Sequence, residues 1–132
     1  MGRLPDVVNL GESEMESLQS DQDIRGIISH NIQQLERNPA DIDTCCDTAE
    51  LLVQLDRVDT AIEVVNNCLT INRGDPWLRF RLAGLYLSKG LQSEVSKIVE
   101  QFKAENIDTP ALRKLRIELQ KMRRRESMLR LV

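Results

Sequence analysis

Three cysteines, one histidine, a knot of aspartates and a run of arginines are the residues of this 132-residue chain whose types could do chemistry. Cys45, Cys46, Cys68 and His30 are its soft ligands and nucleophiles. A zinc site needs four ligands at recognisable spacing, and an odd cysteine count without CxxC plus one histidine does not supply it. Two roles stay open for the cysteines: small apolar core residues in a reducing compartment, or a redox or metal site. Asp41, Asp43 and Asp47 are close in sequence. Carboxylate acid–base catalysis wants two such groups in one pocket with separated pKa values. At a helix start the same residues serve as caps and dipole partners. No GxSxG, Walker loop, Gly-rich strand-to-helix turn or HExxH occurs. The chain therefore reads as a non-enzyme, with no catalytic residue, no cofactor and no metal.

The basic stretch Lys121-Met122-Arg123-Arg124-Arg125-Glu126-Ser127 has several readings. It is a solvated helix end or protein docking strip, an address, a phosphorylation site at Ser127, or a polyanion contact. Nucleic-acid binding wants a broad basic face and often aromatics that stack on bases. The pI near 5.2 and the lack of aromatics after Phe102 argue against it. The net charge of −3 hides a steep gradient. Residues 1–69 hold 14 acidic and 4 basic side chains, whereas residues 110–132 hold 8 basic and 2 acidic. Such opposite ends permit end-to-end stacking of copies.

These side chains must be positioned by helices. A shift of 34 residues superposes Ala49 on Ala83, Leu51 on Leu85, Leu52 on Tyr86, Ala61 on Val95, Val65 on Val99 and Cys68 on Phe102. The same shift carries Pro76 onto Pro110. A fixed period of this length marks a helix–turn–helix unit that stacks on its neighbours. Residues 1–20 read as a flexible acidic tail, with Ser13, Ser17 and Ser20 among acids. Ile24, Ile27, Ile28, Ile32 and Leu35 then make one apolar stripe on a leading helix over 21–38, starting at Asp21 or Asp23. Repeats follow over 42–75 and 76–109. In the first, Thr48, Ala49, Leu51, Leu52 and Leu55 turn inward from one helix and Ala61, Ile62, Val65, Cys68, Leu69 and Ile71 from the other. Asp75-Pro76 and Thr109-Pro110 each combine a cap with a proline at the first helical position. The last helix, over 110–132, carries Leu112, Leu115, Leu119 and Met122 and ends in the basic stretch.

Small Ala49, Ala83 and Ala61, large Leu52 and Tyr86, and Gly90 in the second turn make this pattern resemble the tetratricopeptide repeat. The expected fold is all-α: a short right-handed helical-hairpin solenoid of a leading helix, two repeats and a C-terminal capping helix. The chain departs from the family's pattern at Asp56, where a turn glycine belongs, and at Cys45 and Arg79, where an aromatic belongs. The resemblance implies a concave face lined by Asp43, Cys46, Glu50, Val53 and Gln54 from the first repeat. Trp77, Phe80, Gly84, Leu87 and Ser88 come from the second, and Lys114 and Lys121 from the capping helix. It thus implies an acidic edge, an apolar centre and a basic edge. Trp77 either stands in this groove with Phe80 or folds inward over the gap beside Arg79. Acids at Asp43 and Glu50 argue against the carboxylate clamp of co-chaperone relatives.

The expected partner-binding residues are Asp43, Cys46, Glu50, Trp77, Phe80, Leu87, Lys114, Lys121, Arg123, Arg124 and Arg125. The expected function is an adaptor or scaffold subunit that grips a protein or peptide segment; the alternative is a small dedicated chaperone for a secreted or aggregation-prone client. No apolar run nears the ~18 residues that span a bilayer, and the first residues do not read as a signal peptide. The expected location is the cytoplasm.

Overall fold

The computed structural model describes residues 12–130. They form six helices, and no strand occurs among them. Helix α1 spans Glu12–Arg37, α2 Ile42–Gln54 and α3 Val58–Ile71. Helix α4 spans Pro76–Ser88, α5 Gln92–Ala104 and α6 Pro110–Arg130. Helix α1 begins at Glu12, ahead of the start expected at Asp21 or Asp23. The added stretch has no long apolar stripe; it is helical because Glu, Met, Leu and Gln are intrinsically good helix formers. Residues 1–11 of the expected acidic tail, and Leu131 and Val132, lie outside the described residues.

The helix starts are fixed by the chemistry of their caps. Asp41 accepts from the Thr44 backbone N–H at 3.1 Å and from the Thr44 hydroxyl at 2.7 Å. The hydroxyl first, and the amide next, hold the Asp41 carboxyl below its ordinary pKa. Asp75 accepts from Leu78 N at 2.9 Å with Pro76 opening the helix, and the Thr109 hydroxyl accepts from Leu112 N at 3.2 Å. Each cap satisfies one of the orphan donors of a helix start.

The helix ends show the 34-residue period in the backbone itself. Arg57 N donates to Leu52 O at 2.8 Å and Leu91 N to Tyr86 O at 2.9 Å, two bonds that superpose under that shift. Between them the chain passes through the left-handed region at Asp56 (φ 60°) and Gly90 (φ 72°). Asn106 (φ 58°), with Ile107 N bonded to Phe102 O at 2.9 Å, closes α5 in the same way. Asp56 thus adopts the conformation expected of a turn glycine, which Asp and Asn tolerate better than other side chains.

Each helix packs on the next in sequence, and α4 also packs on α2 and α6. The small residues Ala49, Ala61 and Ala83 are buried where these helices meet, and Val65, Leu78, Val95 and Leu112 fill the space between them. Close approach at small residues with larger ones beside them is how helices interlock at near-crystalline density. Three side chains expected to be buried are not: Ile27 and Ile32 of α1 and Ile71 of α3 are about half exposed. Helix α1 packs chiefly on α2, so part of its apolar stripe has no helix covering it among the described residues.

Arg79 is the other departure. It occupies an apolar position and is nearly buried. Its guanidinium forms a two-pronged ion pair with Glu105, one prong at 3.0 Å, and lies 4.7 Å from the centre of the Phe102 ring. The arginine stem fills the space left by a missing aromatic, while its charged head reaches a carboxylate at the surface. The Arg79 hydrogen bond holds the Glu105 carboxyl below its usual range.

Candidate functional site

Trp77 and Phe80 sit in the first turn of α4, three residues apart and therefore on one face. Their rings stack at 6.5 Å between centroids with 21° between planes. Phe80 is half-buried and packs on the core, whereas Trp77 is 54% exposed. Arg79, not Trp77, fills the neighbouring gap, so the indole stands outward. One turn on, the Arg81 guanidinium lies 5.5 Å from the Trp77 ring centre.

This ridge separates two hollows. The larger, about 480 Å³, runs between α2 and α4. Cys46, Ala49, Glu50 and Val53 form one side, and Trp77, Phe80, Arg81, Gly84, Leu85 and Ser88 the other. The smaller, about 240 Å³, is bounded by Pro76, Trp77, Phe80, Phe102, Ile107, Thr109, Ala111 and Leu112 and is almost wholly apolar. Gly84 lies in ordinary helical backbone on the wall of the larger hollow, and a Cβ built there would meet nothing within 4 Å. No packing among the described residues requires glycine at this point.

Charge in the hollow is sparse. Glu50 stands 3.9 Å from Arg81, a long, half-exposed pair of small energetic weight. The Arg81 Nε is buried without a hydrogen-bond partner among the described residues. Burial is the main influence on the Cys46 thiol and pushes its pKa up, the opposite of what a nucleophile needs. Burial likewise raises that of Cys45. All three cysteines are free and buried. Among the described residues, no three His, Cys, Asp or Glu side chains cluster as metal ligands would. The lone His30 instead shares a hydrogen bond with Gln34 at 3.1 Å.

The structure brings together Cys46, Glu50, Val53, Trp77, Phe80 and Gly84 from the residues expected on the face. Cys46 contributes only to the floor, because it is buried. Asp43 is exposed but outside the lining, and Leu87 packs against the core while Ser88 takes the rim. Lys114 is exposed on α6, and Lys121 is occupied by Glu118 at 3.3 Å. Arg123 donates to the Ser96 hydroxyl at 2.9 Å, Arg125 Nε approaches Lys121 O at 3.5 Å, and Arg124 is exposed. The basic residues therefore form a separate surface on α6, away from the hollow. Ala49, Arg81 and Leu85 were not foreseen in the lining. Arg81 follows Trp77 by four residues, the helical spacing that would have placed it there.

Among the described residues, no helix is long and apolar enough to cross a membrane. No known family model matches this chain, and no curated protein or solved structure shows significant similarity to it.

Proposed function

We propose that this chain is a non-catalytic protein-interaction module of the tetratricopeptide kind, an adaptor or scaffold subunit of a larger assembly. Its α2–α4 hollow receives a segment of a partner protein. One observation carries the reading: a large aromatic, Trp77, stands half out of the surface beside an open apolar hollow whose wall is stripped to glycine at Gly84. Aromatic and arginine side chains around a dry centre are the usual composition of a binding hot spot. The repeated backbone bonds at the hairpin turns and the packing of α4 on both α2 and α6 support a stack of hairpins. The burial of every thiol and the clustering of carboxylates at caps support a surface for holding rather than transforming a molecule.

The test is affinity purification from the native source with the wild-type chain and with W77A/F80A. A partner captured by the first and lost from the second, at unchanged far-UV helicity, supports the reading. Equal capture by both removes the hollow from the function.

A further inference from the structure

Apart from the Arg123 hydrogen bond to Ser96, no side chain in the last turns of α6 bonds or ion-pairs with another helix among the described residues. From Arg123 to Arg130 every residue is exposed, and Met128 and Leu129 are 68% and 74% exposed. Apolar side chains this open at the end of an otherwise well-packed helix leave a surface that burial would stabilise. Leu112, Leu115 and Leu119 fix the first half of α6 against the rest of the molecule. At 1.5 Å per residue, Arg130 lies ~16 Å beyond Leu119 along a continuous helix. No residue of α6 lines the α2–α4 hollow of its own chain among the described residues.

The exposed end has the complementary chemistry to that hollow. Arg124 and Met128, like Arg125 and Leu129, are one helical turn apart, so each apolar side chain sits beside an arginine. The hollow offers Val53, Phe80 and Trp77 for the apolar pair. Its α2 side carries Glu50, with Asp43 and Asp47 exposed along the same helix. The one cation there, Arg81, is already laid over Trp77 and beside Glu50. A symmetric contact between two α6 ends would instead set arginine against arginine.

We infer that the Arg123–Arg130 end of α6 in one copy docks into the α2–α4 hollow of a second copy. The inference rests on that hollow being a docking site, as proposed above. The contact is heterologous: each copy offers one end and one hollow, so it propagates as an open chain rather than closing as a pair. Eight exposed residues bury well under the ~1,200 Å² of a standard interface, so the association is weak and concentration-dependent. A partner segment and a second copy would compete for the same hollow.

Sedimentation of the full chain tests this. The wild type should exceed its monomer mass of 15.1 kDa as concentration rises. It should fall back when salt goes from ~0.1 M to ~1 M, which shortens the screening length from ~10 Å to ~3 Å. M128D/L129D, with a spoiled end, and W77A/F80A, with a spoiled hollow, should each remain at monomer mass. Mixed, they should form a pair of twice that mass and nothing larger, because each retains what the other lacks. G84L, which blocks the hollow from an ordinary helical position, replaces W77A/F80A if that variant loses helicity. A wild type that stays monomeric throughout overturns the inference, as does a mixture that stays monomeric while the wild type associates. The underlying reading is judged separately. M128D/L129D keeps its hollow and should still capture the partner, whereas a monomeric wild type that captures a partner through Trp77 sinks self-docking alone.

Discussion

Replacing Gly84 by alanine should stabilise the chain, and replacing it by leucine should stabilise it while closing the hollow. Glycine inside a helix costs roughly 0.5–1 kcal/mol relative to alanine, because the unfolded chain has more freedom to lose. That gain is realised only where the new methyl meets nothing, and at Gly84 the space within 4 Å is empty and the backbone is ordinary helix. For a chain of this size it corresponds to a rise in Tm of about 2–4 °C. Leucine has nearly the helix propensity of alanine, so G84L should melt above the wild type as well. Its side chain, however, fills the approach beside Phe80 and Val53, and capture of a groove partner should weaken at least ~10-fold, or about 1.4 kcal/mol. Gly26, in the exposed middle of α1 with equally empty surroundings, is the control. G26A should raise the Tm by a similar amount and leave capture untouched. Thermal melts by circular dichroism, paired with partner titrations, read both quantities. A lower Tm for G84A would refute the reasoning, since it would mean the space is filled. A G84L chain that binds at wild-type strength would show that nothing enters the hollow there.

Leu78 is fully buried between α4 and its neighbours, so L78A should cost about 2–5 kcal/mol in denaturant unfolding; less than ~1 kcal/mol would mean the site collapses freely. An aqueous thiol reagent should label none of Cys45, Cys46 and Cys68 within minutes in native buffer and all of them in guanidinium, because burial hides all three and keeps the Cys45 and Cys46 thiols protonated. Hydrogen bonds to Thr44, Arg79 and Arg113 lower the pKa of Asp41, Glu105 and Asp108 respectively. Stability from a lowered pKa is present in full above the unfolded-state value near 4 and is lost as pH falls through the folded-state value. Melts should thus be flat in this contribution near neutrality and decline below about pH 4, and E105Q should flatten that decline.

What could be read from the sequence was whatever repeats locally. The caps at Asp75 and Thr109, the cap at Asp41 or Asp43 and the inward alanines follow from spacing, because a helix turns the same face to its neighbour every three to four residues. Arg79 could not be read this way. Its partners, Phe102 and Glu105, lie on another helix and just beyond its end, and a pairing between distant segments leaves no periodic trace. Trp77 was undecided for the same reason: the outward indole depends on the gap at Arg79 being filled by the arginine stem. The exposure of Ile27 and Ile32 was hidden because a stripe records which face is apolar, not whether a neighbour arrives to cover it. Asp56 shows the reverse case. Its residue type breaks the repeat while its backbone keeps it, since the turn selects a conformation that aspartate can still adopt.

The charge gradient has a consequence for how molecules meet. With a surplus of acid in residues 1–69 and of base in residues 110–132, the molecule is an electric dipole. Two copies drifting together feel a torque before their surfaces touch: abreast and pointing the same way they repel, nose to tail they attract. At physiological salt that torque acts over only ~8 Å, so it sorts the orientation of close encounters without drawing molecules from afar. Ionic strength therefore tunes which collisions are productive, independently of how tightly any of them ends.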